Sequence, residues 1–322
     1  MNILFCSAGR RVELLKDFRK SLSPDSKIIA ADMSPYAPAM YVADAHYLVP
    51  AIHDEAYLPT LLAICEKESV QAVTTLIDPE IEGLARNREA FEKIGVKVLT
   101  PYEETAELCF DKYQMFRFLH ERGIATPMTY GTLAETKNAL DAGLLSFPVF
   151  VKPRTGSGSV GARRVDSLQQ LEKAWAADES LIAQEYMLCD DVDADVYVDT
   201  VTQKPVSIFA KRKLETKLGG ASKTVSFRDE KLFAFICEAL SCFRFSGPID
   251  VDLFYRDGEY YLSEINPRFG GAYLHAYGAG VDFVKLIENN VRGIANEAVF
   301  GNYEDDVVMM MYDSVVIEKI EK

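Results

Sequence analysis

Three side chains with hard oxygen atoms lie around one predicted β-hairpin. Residues 249–255 and 260–265 are predicted as strands, and the Asp257-Gly258 pair between them is typical of a tight turn. Asp252 lies on the first strand, Glu264 lies on the second, and Asn266 follows directly. Carboxylate and amide oxygens suit Mg²⁺ that bridges substrate phosphates. The hairpin therefore predicts a magnesium site that serves phosphoryl chemistry.

The length of the hairpin loop decides whether these three side chains share a face, because side chains alternate along a strand. An odd loop with Gly258 in the left-handed conformation places Asp252, Glu264 and Asn266 on one surface, whereas a two-residue Asp-Gly loop separates the carboxylates. We expect the odd loop, because it also gathers the apolar residues on the other side. A solvent-facing polar strand is the competing interpretation, and this segment alone does not decide between the two.

A glycine-rich segment follows another predicted strand earlier in the chain. The strand 149–152 ends at Lys152, and residues 155–161 then contain three glycines and three hydroxyl side chains. Glycines let backbone N–H groups approach phosphate oxygens, and a neighbouring lysine neutralises them. The segment is neither a Walker A motif nor a Gly-x-Gly-x-x-Gly turn that opens a helix. Flexible hairpin tips have the same composition, so the phosphate interpretation needs support from elsewhere.

A third segment combines a strand end with acidic residues. The strand 181–184 ends at Gln184 and leads through Glu185, Tyr186 and Met187 into an acidic stretch. A hinge of this kind offers backbone N–H and C=O groups to an adenine edge, and a carboxylate beyond it suits the ribose hydroxyls. An acidic surface turn explains the same residues equally well.

Taken in chain order, these segments resemble the ATP-grasp superfamily, and in particular single-domain relatives of the carbamoyl-phosphate synthase large subunit. The resemblance covers nearly the whole chain and implies ATP and Mg²⁺ as cofactors, with Mn²⁺ as an alternative metal. It is carried by Lys112, Val151-Lys152-Pro153 with the glycine loop, Gln184-Glu185-Tyr186-Met187, Asp252 and Glu264-Ile265-Asn266-Pro267-Arg268.

The resemblance also implies a role for each of these residues. Asp252, Glu264 and Asn266 are similar to the metal ligands of the family, and Arg268 to the arginine that steadies the transferred phosphate or the intermediate. We predict Lys152 and Arg268 as catalytic residues, together with Arg212 as the inward member of the basic patch Lys211-Arg212-Lys213. The predicted nucleotide-binding residues are Lys112, Lys152, Gly156, Ser157, Gly158, Ser159, Val160, Gly161, Gln184, Glu185, Tyr186 and Met187, with Asp191 or Asp193 for the ribose.

The mechanism that the resemblance implies is attack of a carboxylate oxygen on the γ-phosphate of ATP, after which an amine displaces phosphate from the acyl phosphate. We therefore expect an ATP-dependent carboxylate–amine ligase with small-molecule substrates, whose identity the sequence does not reveal. One alternative is a carbamoyl-phosphate synthase-like enzyme that phosphorylates bicarbonate. Another is a regulator that holds ATP without turnover, but the retained metal ligands argue against it.

The elements around these motifs predict two kinds of sheet. Short apolar strands alternate with amphipathic helices at first, as in a covered parallel sheet, and closely spaced strands with turn residues follow. With the resemblance, this predicts an α/β plus α+β chain in which a Rossmann-like pre-ATP-grasp domain precedes a two-lobed ATP-grasp fold. We expect the Rossmann-like domain at 1–105, the nucleotide lid region at 106–190, the metal-binding lobe at 191–300 and a C-terminal strand or tail at 301–322.

Two details of the first domain concern charged residues. Asp78 is predicted to cap a helix that has proline in its first turn. Arg10 and Arg11 are expected to be solvated at the start of a surface helix, and binding of an anionic substrate is the alternative interpretation.

Composition narrows the classes of partner. The 49 acidic and 35 basic residues give a formal net charge of −14, which repels nucleic acid. The six cysteines form no Cys-x-x-Cys pair, so we expect free thiols. No apolar run is long enough to span a membrane, and no leader is recognisable. We therefore expect a cytoplasmic protein without nucleic-acid or membrane partners, and the resemblance implies a homodimer.

Overall fold

The computed structural model describes residues 1–156, 158, 160–217 and 220–319. Ser157 and Ser159, which were predicted for the phosphate loop, lie outside the described residues. Within them the chain forms one parallel sheet and two largely antiparallel sheets, with helices packed against them. The predicted change from a parallel to an antiparallel arrangement is confirmed. None of the helices in the described part of the chain is long and apolar enough to cross a membrane.

The amino-terminal part is a parallel sheet covered by helices. Its strands are β1 (Ile3–Cys6), β2 (Ile28–Asp32), β3 (Ala45–Leu48), β4 (Ala72–Thr75) and β5 (Lys97–Val98), and its helices are α1 (Val12–Ser21), α2 (Tyr57–Lys67), α3 (Asp78–Arg86) and α4 (Arg88–Lys93), with a 3₁₀ helix at Pro38–Val42. The strand order is β3-β2-β1-β4-β5. The chain therefore winds outward in both directions from β1, and the carboxyl ends of β1 and β4 meet where ligands bind in such sheets.

The second part is a four-stranded antiparallel sheet in the order β6-β9-β7-β8. Its elements are α5 (Glu103–Phe110), α6 (Lys112–His120), β6 (Thr129–Tyr130), α7 (Leu133–Asp141), β7 (Val149–Pro153), β8 (Arg163–Val165), α8 (Leu168–Ala177) and β9 (Leu181–Glu185). A separate core containing Val149, Leu171 and Trp175 holds α7 and α8 on the sheet. The glycine loop joins β7 to β8, and Gly156, Gly158 and Gly161 all have positive φ, a conformation that explains the choice of glycine.

The third part is a seven-stranded sheet in the order β14-β13-β10-β11-β12-β16, with β15 paired to β11. Its elements are β10 (Asp190–Val198), β11 (Pro205–Lys217), β12 (Gly220–Ser226), α9 (Glu230–Leu240), β13 (Gly247–Arg256), β14 (Glu259–Asn266), α10 (Tyr273–Gly278), α11 (Phe283–Val291), β15 (Val299–Phe300) and β16 (Val308–Met310). Its apolar core is continuous with that of the first part, since the ring of Phe18 on α1 packs 5.5 Å from that of Phe269. This shared core fixes the first and third parts against each other.

Candidate active site

A cleft of about 920 Å³ receives side chains from all three parts of the fold. The first part contributes Arg11 and Asp78, the second contributes Lys152, and the third contributes Asp252 and Glu264. Most of the residues predicted from the sequence meet there. Those that line the cleft are Lys112, Lys152, Gly156, Gly158, Val160, Gln184, Glu185, Tyr186, Met187, Asp191, Asp193, Asp252, Glu264, Asn266 and Arg268, whereas Gly161 and Arg212 do not line it.

The loop between β13 and β14 differs from the predicted one. Arg256 pairs with Glu259, so only Asp257 and Gly258 form the turn, with φ values of 54° and 86°. Two successive residues in the left-handed region are typical of a type I′ hairpin turn, whose twist matches that of the strands. The predicted odd loop is therefore wrong.

A β-bulge nevertheless places the carboxylates on one face. Leu253 pairs with Leu262, but the next pair towards the cleft is Asp252 with Glu264, so Ser263 is an extra residue in β14. The bulge shifts the alternation by one position, and directly opposed residues of an antiparallel pair share a face. The three predicted metal ligands accordingly lie together, although the sequence argument gave the wrong reason for it.

The predicted metal ligands form a compact set of oxygen atoms. Asp252 and Glu264 are opposite each other, and Asn266 Nδ2 lies 3.1 Å from Asp252 Oδ2. No group of three His, Cys, Asp or Glu side chains suited to a metal occurs among the described residues. Two carboxylates and an amide fit Mg²⁺, which commonly binds through one or two carboxylates together with substrate phosphates and water.

The two predicted phosphate-binding lysines face these carboxylates. Lys112 Nζ lies 3.4 Å from Glu264 Oε1 and donates a hydrogen bond to the Gly156 carbonyl. Lys152 is 8% exposed, and it has no hydrogen-bond or ion-pair partner within the described ranges. Burial lowers the pKa of Lys152, Glu264 opposes this shift, and the charge of Lys112 adds to it. An anion that enters the cleft would therefore offset the cost of desolvating this ammonium.

The end of β9 presents the predicted adenine hinge to the cleft. Glu185 N donates to the Met128 carbonyl at 2.9 Å, and Glu185 Oε1 accepts from Met128 N at 2.9 Å. Gln184 Nε2 donates to Thr129 Oγ1 at 3.0 Å. These bonds hold the strand end against β6 and occupy both side chains. The next residue pair, Tyr186-Met187, lies beyond the strand in the cleft lining.

The two candidates for the ribose carboxylate have different surroundings. Asp193 is 4% exposed and lies 3.2 Å from the ammonium of Lys211. The Asp191 side chain is 41% exposed and lies 3.0 Å from the ammonium of Lys213. Only Asp191 is therefore accessible from the cleft without breaking a buried ion pair.

Arg212 projects from one face of β11, and the lysines that bond to the acidic residues Asp195 and Asp252 project from the other face. Its guanidinium stacks over the Phe227 ring at 4.1 Å. Because side chains alternate along a strand, Lys211 and Lys213 face the cleft side instead, and Lys213 bonds to Asp252. The prediction that Arg212 points inward is wrong.

Arg268 joins the hairpin to the first part of the fold. Its Nε lies 3.0 Å from Asp78 Oδ1 and its Nη1 lies 3.3 Å from Asp250 Oδ2. Asp78 is the first residue of α3, and the residue in the capping position is Ile77, without a side-chain cap. The prediction that Asp78 caps this helix is therefore wrong, because its carboxylate pairs with Arg268.

Sequence analysis missed a buried charge cluster beside the cleft. Lys211 is fully buried and bonds to Asp195. Burial raises the pKa of Asp195 to about 6, although the ammonium of Lys211 opposes the shift. Asp250 is buried close by. The alternating acids of β10 and β13 and the alternating lysines of β11 carried the signal, because such period-two charges within buried strands must pair with one another.

The turn after Arg268 leaves no room for a side chain at Gly270. A Cβ atom there would lie 2.6 Å from Asp250 Oδ1 and 2.9 Å from Asp195 Oδ1. We expect Gly270→Ala to lower the free energy of unfolding by about 1–3 kcal/mol, as overpacking of a filled interior does. Urea denaturation measures this. Gly278→Ala is the control, because nothing lies within 4 Å of its Cβ position at the end of α10, and an equal loss there would contradict the packing argument.

Comparison with known proteins agrees with these motifs. A model of PylC-like N-terminal domains matches residues 3–99, and a model of ATP-grasp domains matches residues 109–272. The formate-dependent phosphoribosylglycinamide formyltransferase of Hydrogenovibrio crunogenus is 26% identical over 83% of this chain and 68% of its own length. The Shewanella frigidimarina enzyme of the same name is 26% identical over 75% of this chain and 62% of its own length. This chain thus spans about two thirds of these relatives.

Further matches extend the comparison. The carbamoyl phosphate synthase large chain of Pseudothermotoga lettingae is 26% identical over 57% of this chain and 18% of its own length. Among solved structures, biotin carboxylase of Campylobacter jejuni has a TM-score of 0.73 at 20% identity, covering 92% of this chain and 71% of its own. The biotin carboxylase domain of Hydrogenobacter thermophilus 2-oxoglutarate carboxylase, solved with MgADP and bicarbonate, has a TM-score of 0.74 at 16% identity, covering 95% and 73%.

At these identities the structural matches establish the fold, and they confirm a Rossmann-like domain followed by an ATP-grasp fold. The ATP-grasp model itself covers half of the chain and includes the hairpin, the lysines and the glycine loop. The chain therefore belongs to the ATP-grasp family, and the prediction of an ATP-grasp ligase is confirmed at the level of the family.

Proposed function

We propose that the protein is an ATP-dependent carboxylate–amine ligase that converts a carboxylate into an acyl phosphate. One observation carries this proposal: the largely buried side chain of Lys152, for which the described residues supply no hydrogen-bond or ion-pair partner, shares a cleft with the opposed carboxylates of Asp252 and Glu264. A desolvated cation beside a metal-type set of oxygens suits a phosphate chain with its metal, and neither a purely apolar nor a purely acidic ligand satisfies both.

The nucleotide sites follow from the same cleft. We assign the adenine to the backbone of Tyr186-Met187 and the ribose hydroxyls to Asp191, since Asp193 is occupied by Lys211. Lys112, Lys152 and the glycine loop neutralise the phosphates. Asp252, Glu264 and Asn266 would hold Mg²⁺, which when bound supplies neutralising charge at the transferred phosphoryl group.

The remaining chemistry requires orientation more than proton transfer. No histidine occurs in the described lining of the cleft, and a carboxylate needs no base in order to attack phosphorus. Arg268 stabilises the transferred phosphate and the acyl phosphate. Positioning and charge stabilisation therefore account for most of the catalysis.

Small molecules are the proposed substrates, and the enzyme is proposed to act in the cytoplasm as a homodimer. Formate is the first carboxylate to test, because the two formyltransferases named above are formate-dependent. Bicarbonate is the second, because one solved relative contains it. Use of bicarbonate would favour the carbamoyl-phosphate synthase-like alternative.

The test measures phosphate release from MgATP across a panel of carboxylates, with and without amines. Hydroxylamine in parallel reactions traps an acyl phosphate as a hydroxamate. We expect one carboxylate to stimulate release and to yield its hydroxamate. Stimulation by bicarbonate alone would establish the synthase-like alternative, and tight MgATP binding without release under every condition would establish an ATP-binding regulator.

A further inference from the structure

Arg11 reaches from the first part of the fold to the turn that follows Arg268. Arg11 Nη1 donates to the Gly270 carbonyl at 3.0 Å, and Nη2 donates to the Phe269 carbonyl at 2.6 Å. The two acceptors are successive backbone groups, so the planar guanidinium holds the turn in a fixed orientation. These residues are more than 250 positions apart in the sequence.

The loop that carries Arg11 is itself firmly held. Ser7, at the end of β1, has a φ of 48°, and its hydroxyl donates to Glu80 Oε2 at 2.7 Å. Gly9 N donates to Asp32 Oδ2 at 2.8 Å. Bonds to helix α3 and to the end of the neighbouring strand β2 therefore fix the loop, and with it the start of α1.

The turn is confined on its other side as well. The absence of a Cβ at Gly270 lets its backbone lie against Asp250 and Asp195, and Asp250 is one of the two carboxylates that hold Arg268. Arg11 and Asp250 thus both contact the segment from which Arg268 projects. Any movement of the turn changes the position of the Arg268 guanidinium.

Arg11 brings a second positive charge near Arg268. Burial lowers the pKa of Arg11 to about 10 and the charge of Arg268 adds to the shift, whereas the carboxylates of Asp250, Asp78 and Asp195 oppose it. Arg11 nevertheless stays protonated at neutral pH, and it lines the cleft beside Arg268. A neutral amide side chain could bind the same carbonyls without this repulsion.

We propose that Arg11 is a positioning residue, which holds Arg268 in place for the transferred phosphate by fixing the carbonyl groups of Phe269 and Gly270. The inference rests on the proposed function, because the phosphate role of Arg268 belongs to it. It gives the amino-terminal domain a direct part in phosphate binding. It also assigns Arg11, which sequence analysis expected to be solvated, to the active site.

The test compares two affinities by calorimetry, that of MgADP alone and that of inorganic phosphate in the presence of saturating MgADP. Arg11→Met should leave the affinity for MgADP within about twofold of wild type. It should weaken phosphate binding by about tenfold or more, because a displaced Arg268 loses its charge-assisted contact with the phosphate. Arg11→Lys should lie between the two, because an ammonium cannot bind both carbonyls in the same fork geometry. It also serves as the milder substitution if Arg11→Met fails to fold.

Arg10→Met is the matched control, since Arg10 is the exposed neighbour on the same loop, and both affinities should be unchanged. Wild-type phosphate affinity in Arg11→Met or Arg11→Lys would overturn the positioning role, and so would an equal loss of MgADP and phosphate binding. Failure of the wild-type protein to bind MgADP would instead overturn the proposed function. If the wild-type protein binds MgADP but not phosphate, the positioning role fails alone, because acyl phosphate trapping still tests the ligase.

Discussion

Glu264→Gln should reduce phosphate release from MgATP by about 10²–10³-fold, the range observed when one preorganised electrostatic group is removed from an active site. The substitution keeps the shape of the side chain but removes one of the two carboxylates of the proposed metal site. It also removes the partner of Lys112, whose ammonium lies 3.4 Å from Glu264 Oε1. The measurement is kcat for phosphate release over a titration with Mg²⁺ and Mn²⁺. We expect higher metal concentrations to restore only part of the rate.

Glu259→Gln is the matched control for this experiment. Glu259 begins the same strand, β14, but its side chain is 62% exposed and pairs with Lys231 at 2.7 Å, away from the cleft. Its loss should leave both kcat and the metal requirement unchanged. Near-wild-type turnover by Glu264→Gln would show that the opposed carboxylates are not a metal site.

Lys211→Met should lower the free energy of unfolding more than Gly270→Ala or Lys223→Met. The ammonium of Lys211 is fully buried and pairs with Asp193 at 3.2 Å and with Asp195. Removing one partner from a buried ion pair leaves an uncompensated charge and costs about 3–5 kcal/mol. Urea denaturation at pH 8 measures the change in the free energy of unfolding.

The loss in Lys211→Met should also depend on pH. The pKa of Asp195 in the folded protein, about 6, lies above its unfolded value, so the folded state binds more protons and stability falls as the pH rises through this range. Without the Lys211 ammonium the pKa of Asp195 is higher still, and the fall in stability with rising pH extends to higher pH. The variant should therefore be less destabilised at pH 5 than at pH 8.

Lys223→Met is the control for the stability series. Lys223 pairs with Glu215 on the same sheet at 2.7 Å, but the two side chains are 45% and 52% exposed. Exposed pairs of this kind contribute about 0–1 kcal/mol. A pH-independent loss in Lys211→Met, or an equal loss in Lys223→Met, would contradict the assigned cluster.

The sequence was informative where chemistry depends on local patterns. The hairpin acids, Lys152 and the glycine loop could be predicted from their own residue types, and the structure brings them into one cleft. The domain boundaries predicted from composition and motifs stay predictions. The strand end predicted as the adenine hinge lines the same cleft, and it could be picked out because a buried strand that ends in polar residues is visible without knowledge of its neighbours.

Contacts between distant segments could not be found in this way. Nothing local to Asp78 or Arg11 indicates that Arg268 and its turn are their partners, since the pairing depends on how the parts pack. The prediction for Arg212 was wrong for another reason. An error of one position in strand parity exchanges the two faces of a strand, and the prediction did not use the alternation of Lys211 and Lys213, which indicates the parity of β11.

Ser263 is one extra residue in β14, and it decides which side chains of that strand face the cleft. With a two-residue turn, directly opposed positions are separated by an odd number of steps along the chain, whereas Asp252 and Glu264 are separated by an even number. Without the bulge, regular pairing would place Ser263 opposite Asp252 and would turn Glu264 towards the apolar layer and Ile265 outward, so the site depends on the bulge as much as on the carboxylate itself. In other hairpins, an even spacing between paired ligands across a two-residue turn is likewise a diagnostic of a hidden bulge.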